Sequence, residues 1–189
     1  MTYPLGYPVS IPFSLPPDKG DVWEDSFSNY KNGAVPANYS VVSGTWVISN
    51  GLLTKTIVNS GYNQIISSVS LKKDIKLAVE ASSSLEVDLI VRYQDENNFY
   101  LVLFRSGNIG VWRRVSSTYT QLALNVTVTY NISGYNIYEI HSQANTISAF
   151  FNNRLVASVV DNTFLNSGRF GVGAHASTGR FKWIRAEGV

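Results

Sequence analysis

From Val22 onward the chain runs in short apolar-rich stretches separated by clusters of Gly, Asn, Ser, Asp and Thr, and inside the stretches apolar and polar positions tend to alternate. Alternation puts every second side chain on one face, as in a half-buried strand, and the polar clusters supply the reversals between strands. This spacing predicts strands at 23–27, 39–42, 45–49, 52–57, 64–69, 75–82, 87–93, 99–105, 109–114, 120–125, 135–143, 146–151, 155–160, 169–175 and 181–186. No segment holds a 3.6-residue period long enough for a helix. That many strands exceeds an immunoglobulin-type domain and predicts an all-β fold, a two-sheet antiparallel jelly-roll sandwich.

Residues 1–21 break the pattern. Pro4, Pro8, Pro12 and Pro16 recur at every fourth position, and Pro17 follows directly. Each proline fixes its own φ and extends the residue before it, so the segment reads as an extended arm, with the hinge at 18–21 and the sandwich domain at 22–189. Tyr3, Tyr7, Ile11, Phe13 and Leu15 lie between the prolines. A large apolar side chain gains about 1.5–3 kcal/mol when fully buried. The arm is therefore expected to lie on a surface: that of its own domain, of a second copy in a homo-oligomer, or of another protein subunit.

Composition narrows the function classes. With 13% aromatic and 15% charged residues the chain favours strands and polar turns, and 189 residues suffice for a core without staples. There is no cysteine, so no disulfide or thiolate nucleophile exists, and His141 and His175 stand alone in sequence, so no zinc cluster is expected. The net charge of +2 is scattered, with Lys72-Lys73 and Arg113-Arg114 the only basic doublets, which argues against a nucleic-acid partner. Neither a signal peptide nor a membrane span is expected: the first 20 residues lack a basic start, and no apolar run reaches 18 residues.

Four blocks carry a family resemblance: Trp23-Glu24-Asp25-Ser26-Phe27; Gly44-Thr45-Trp46-Val47-Ile48 with Asn50-Gly51-Leu52-Leu53; Val91 through Leu101; and Ser167-Gly168-Arg169-Phe170-Gly171-Val172-Gly173. In order and spacing they resemble the concanavalin-A-like lectin/glucanase superfamily, in its laminin-G-like and carbohydrate-binding-module branches. The resemblance implies the sandwich fold but not one activity, since that fold hosts lectins, glycosidases, adhesins and virion proteins. Relatives often hold a structural calcium through acids in the closing strand. Here the matching place reads Phe181-Lys182-Trp183, with a cation where hard oxygen ligands are wanted, and Asp25 is the one remaining acid. No metal or other cofactor is expected.

The resemblance also raises a retaining glycosidase, whose carboxylates alternate along one strand. Glu86-Val87-Asp88-Leu89-Ile90-Val91 begins that way, but the third carboxylate falls on Ile90, or on Val91 after a bulge. An aliphatic side chain serves as neither nucleophile nor acid/base. The chain is therefore expected not to be an enzyme, and the two acids to be solvated at a strand entry.

If 94–98 and 106–107 turn two hairpins, Arg92 faces Tyr100 and Tyr100 faces Arg113. Leu89, Val91, Tyr93, Phe99, Leu101, Leu103 and Trp112 would then form the core face. Asp88, Arg92, Tyr100 and Arg113 would lie on the opposite face as the candidate ligand-binding set, Tyr100 stacking on a sugar ring while the others bond hydroxyls. The alternative is that they form cross-strand pairs under a covering loop.

Together these features predict a non-enzymatic structural or adhesion protein of a larger exterior assembly, on a virion (decoration, fibre or tail component) or at a cell surface, anchored by the arm. The alternative is a stand-alone carbohydrate-binding module or lectin. The sequons at Asn38, Asn125 and Asn131 also point outward.

Overall fold

The computed structural model describes residues 22–56, 61–71, 73–105, 107–125 and 134–189, and among them there is no helix. Fifteen strands follow in chain order: β1 (Val22–Asp25), β2 (Tyr39–Val41), β3 (Trp46–Ser49), β4 (Leu52–Lys55), β5 (Tyr62–Ser70), β6 (Ile75–Ser83), β7 (Glu86–Asp95) and β8 (Asn98–Arg105). The rest are β9 (Asn108–Val115), β10 (Thr118–Asn125), β11 (Asn136–Gln143), β12 (Thr146–Phe151), β13 (Arg154–Val160), β14 (Arg169–His175) and β15 (Gly179–Gly188). Every predicted strand has its counterpart, with ends shifted by one or two residues.

The strands form two antiparallel sheets. One runs β13-β12-β11-β6-β15-β4-β3, with β1 paired to the other end of β15; the second runs β10-β9-β8-β7-β14-β5-β2. Alternation fills the space between them: Leu77, Val79 and Ala81 of β6, and Tyr138 and Ile140 of β11, meet Val87, Leu89 and Val91 of β7 and Tyr100, Val102 and Phe104 of β8. The rings of Phe104 and Tyr138 meet edge to face across the gap, 5.1 Å apart. Buried aromatic pairs of this kind add about 0.5–1.5 kcal/mol beyond the area they bury.

The expected register holds on one side of β8 and fails on the other. Tyr100 does pair with Arg113, but it faces Val91 rather than Arg92. Arg92 adopts a left-handed backbone (φ 50°) inside a bulge between Val91 and Asp95, where three residues of β7 oppose one of β8. These two extra residues turn Tyr93 to the outer face. The hairpin closes on a two-residue turn between the paired Asp95 and Asn98 instead of the five-residue turn expected, which shifts the register of β8 by one. The close approach of Gly168 matches this bulge, since a Cβ there would lie 2.6 Å from the Arg92 carbonyl carbon.

The expected core face is therefore corrected. Leu89 and Val91 do point between the sheets, but Tyr93, Phe99, Leu101 and Leu103 form a second cluster on the outward face of the seven-stranded sheet, with Trp112 packed against it. Tyr100 is fully buried between the sheets. The arm residues Tyr3, Pro4, Tyr7, Pro8, Ile11, Pro12, Phe13, Leu15 and Pro16 lie outside the described residues.

Candidate functional site

Three of the four residues singled out from sequence gather on the inward side, at one end of the sandwich, under the segment 161–167. The Tyr100 hydroxyl donates to Asp161 Oδ1 at 2.6 Å and accepts from the Phe164 amide at 3.1 Å. Arg113 Nη1 donates to Asp161 Oδ2 and to Thr163 Oγ1, each at 2.6 Å. Arg92 donates to the carbonyls of Lys73, Phe164 and Ala144 and, at 3.3 Å, to Asp74 Oδ1. This is the cross-strand arrangement under a covering loop, and Tyr100 has no open face on which a sugar could stack.

Burial raises the Tyr100 hydroxyl, and the bond to Asp161 adds to it, up to about 12. Burial also pushes Asp161 up. Hydrogen bonds from Tyr100 and Thr163, with the Arg113 charge, outweigh burial and leave that carboxyl below its usual value. Away from this group Asp25 accepts from the Phe27 amide and the Tyr30 hydroxyl, the role of a turn carboxylate. Lys182, in the place of the relatives' metal-binding acid, pairs with Glu80 at 2.5 Å. Among the described residues no cluster of three His, Asp or Glu could hold a metal ion.

Asp88 lies apart from this group, on the outward face, beside Glu86. That face is concave. Tyr62 of β5 and Tyr119 of β10 are five strands apart, a lateral separation of about 24 Å in a flat sheet. Their rings nevertheless sit 5.3 Å apart. Twist and coiling bring opposite corners of the sheet together, and Tyr62 also packs on His175 at 4.8 Å.

Closure over the face explains why Glu86 and Asp88, expected to be solvated, are both fully buried. Glu86 Oε2 accepts from Arg105 Nε, whereas Glu86 Oε1 and both Asp88 oxygens find no donor. Burial pushes the Asp88 carboxyl well above the usual range. The neighbouring Glu86 charge adds to the shift, while Arg105 and Lys55 oppose it. A carboxyl buried beside a second one holds its proton more tightly than a solvated one.

Neighbouring residues fix the pair in place. A Cβ at Gly173 would come within 2.9 Å of Asp88 Oδ2. The Glu86 amide donates to Ser83 Oγ, which also bonds Ser177 Oγ, and the carbonyl of Ser177 accepts from Lys55 Nζ at 2.8 Å. Ile90, two residues along the same face, occupies the third acid position of a glycosidase strand and is packed in the outer cluster.

Beside the tyrosine bridge a cleft of about 270 Å³ opens, lined by Val42, Ser43, Tyr62, Gln64, Glu96, Asn97, Arg114 and Tyr119. Arg114 lies over the Tyr119 ring at 4.9 Å and donates to the Glu96 carbonyl. Gln64 Nε2 and Arg114 Nε are buried there without any acceptor. None of these wall residues was singled out from the sequence as a site, because they come from three strands and two turns that meet only when the sheet coils.

Comparison with known proteins bears on this geometry. A family model described as the 3-keto-alpha-glucoside-1,2-lyase-like domain matches residues 22–187. No curated protein matches the chain. Among solved structures it is similar to the carbohydrate-binding module CBM66 from Bacillus subtilis, at 18% identity over 79% of this chain and 95% of that one, TM-score 0.70. It is also similar to the VIP36 exoplasmic/lumenal domain in its Ca2+/Man-bound form, at 10% identity over 89% of each chain, TM-score 0.68. A third is the Bacillus licheniformis beta-glucanase, at 10% identity over 90% of this chain and 99% of that one, TM-score 0.63. At these identities the likeness is one of fold, which is concanavalin-A-like, as the sequence blocks implied.

Proposed function

We propose that this chain, which belongs to the family of 3-keto-alpha-glucoside-1,2-lyase-like domains, binds a carbohydrate without cleaving it, in the cleft between Tyr62 and Tyr119. The observation that carries the reading is the pair of buried donors without acceptors, Gln64 Nε2 and Arg114 Nε, set in an aromatic wall. Sugar hydroxyls accept such bonds, and the C–H face of a pyranose packs on a tyrosine ring. The cleft volume of about 270 Å³ is at the lower edge of the roughly 300–1,000 Å³ of small-molecule sites, which suits a single sugar unit. The carbohydrate-binding module and the mannose-bound domain among the similar structures support a saccharide as the ligand class and an extracellular or surface setting.

Binding without cleavage is supported by two features of the acid pair. Glu86 and Asp88 are sealed from solvent, and Ile90 takes the place of the third acid. Isothermal titration against neutral oligosaccharides of glucose, mannose and xylose tests the binding. We expect saturable heat with at least one of them, and a Tyr119→Ala variant about ten-fold weaker. No heat from any of them defeats the reading. Incubation with a nitrophenyl 3-keto-α-glucoside tests the rest, and release of nitrophenol at an enzymatic rate, by elimination or by hydrolysis, would make the chain an enzyme.

The role in a virion or cell-surface assembly, and the docking of the arm on another subunit or a second copy, stand as a further proposal resting on residues 1–21. Deleting residues 1–17 tests it: unchanged mass in solution and unchanged particle incorporation defeat it.

A further inference from the structure

The eight-stranded sheet also has an outward face. On β6 the side chains at 76, 78 and 80 point away from the core, since Leu77, Val79 and Ala81 point into it. Register places Ala78 between Arg185 of β15 and Glu139 of β11, with Lys76 between Glu187 and His141, and Glu80 between Trp183 and Ile137. Ala78 is thus the small centre of a three-by-three grid whose other members are all large. The outcome is a cleft of about 270 Å³ floored by Ala78 and walled in part by Trp183, Arg185 and Glu139.

The walls are already ordered. Trp183 Nε1 donates to Glu80 Oε2 at 2.9 Å, and Lys182 bonds the other oxygen of that carboxylate while lying 4.2 Å from the Tyr135 ring centre. Lys76 pairs with Glu139 at 3.0 Å and Arg185 with Glu187 at 2.5 Å. Each of these three cations has its carboxylate, so the face offers dense hydrogen-bonding capacity without an excess of either sign. A charged ligand would have to break existing pairs. A neutral polyhydroxylated one adds bonds to planar carboxylate and guanidinium groups while its C–H face covers the half-buried indole.

We infer that this face is a second saccharide-binding platform, taking a neutral sugar unit over Ala78 and against Trp183. With the cleft at Tyr119 on the opposite sheet, one domain then holds two sugar chains, or two places on one chain.

The experiment is a titration of the isotopically labelled full chain with neutral gluco-, manno- and xylo-oligosaccharides, following the Trp183 indole N–H and the Ala78 amide by NMR. Both signals are expected to move saturably with at least one sugar. Ala78→Leu, which fills the floor, should abolish those shifts without altering any at Tyr119. Arg185→Ala, which removes an exposed side chain and leaves the strands intact, should weaken them about ten-fold. A Trp183 signal that stays fixed with every sugar overturns the inference, whatever the Tyr119 cleft does. Shifts that survive both substitutions unchanged overturn it as well.

Discussion

The two faces of the seven-stranded sheet treat buried polar groups in opposite ways. Inward, Asp161 takes bonds from Tyr100, Arg113 and the Thr163 amide, and Arg92 meets three carbonyls and a carboxylate; within that group only Arg113 Nε is left over, and elsewhere on the same face the Tyr39 hydroxyl is unmatched. Outward, Asp88 has no donor at all, and Glu86, Gln64 and Arg114 each keep an atom unmatched. The carboxyls answer accordingly, Asp161 held below its usual value and Asp88 above it. A polar group saturated by its own chain holds the fold together, whereas one buried with capacity to spare costs stability and is the place where a ligand can contribute bonds.

The difference can be tested first at Arg92. Replacing it by Met strands three carbonyls and Asp74, and should cost about 3–5 kcal/mol. At roughly 2–4 °C per kcal/mol for a chain of this size, the melting temperature should fall by about 10 °C. Oligosaccharide affinity, measured well below the melt, should not change. Altered affinity with little loss of stability would move Arg92 from clamp to site.

A smaller loss is expected at Tyr100. Tyr100→Phe removes one hydroxyl that joins Asp161 to the Phe164 amide and should cost about 1–3 kcal/mol in urea unfolding at pH 7. Because the Asp161 carboxyl is lowered in the folded chain, its contribution is present above its unfolded value and is lost as pH falls through the folded one. The cost of Tyr100→Phe should therefore shrink in acid.

Asp88 should run the other way and by less. A carboxyl raised in the folded state contributes fully below its unfolded value, and that contribution fades as pH rises through the folded one. Asp88→Asn removes the buried titrating carboxyl and its charge beside Glu86 at every pH. It should match the parent near pH 4 and exceed it by about 1 kcal/mol in alkaline buffer, read from melts across pH. An equal effect at both ends would mean that burial does not raise the Asp88 carboxyl.

These contrasts also mark what a linear reading can and cannot find. All fifteen strands were legible because alternation and turn residues act locally. Faces were legible up to Val91; beyond it a left-handed arginine forms a bulge that no residue type announces, and the hairpin closes on two residues between Asp95 and Asn98 rather than on 94–98. Everything beyond it was assigned to the wrong side, which sent Trp112 to the core and Tyr100 to the surface. The spacing of Glu86 and Asp88 drew notice, but their burial depends on Tyr62 and Tyr119 meeting across five strands, and the pattern of one strand carries no trace of sheet coiling. Gln64 and Arg114 were missed for the same reason.

The most direct test of the contrast follows the side-chain N–H signals of Gln64, Arg114 and Arg92 by NMR while the best-binding neutral oligosaccharide is added. Unmet capacity on the outward face predicts that Gln64 Nε2–H and Arg114 Nε–H shift saturably with one dissociation constant while Arg92 Nε–H stays fixed. Movement of Arg92 with Gln64 and Arg114 unmoved would contradict the account.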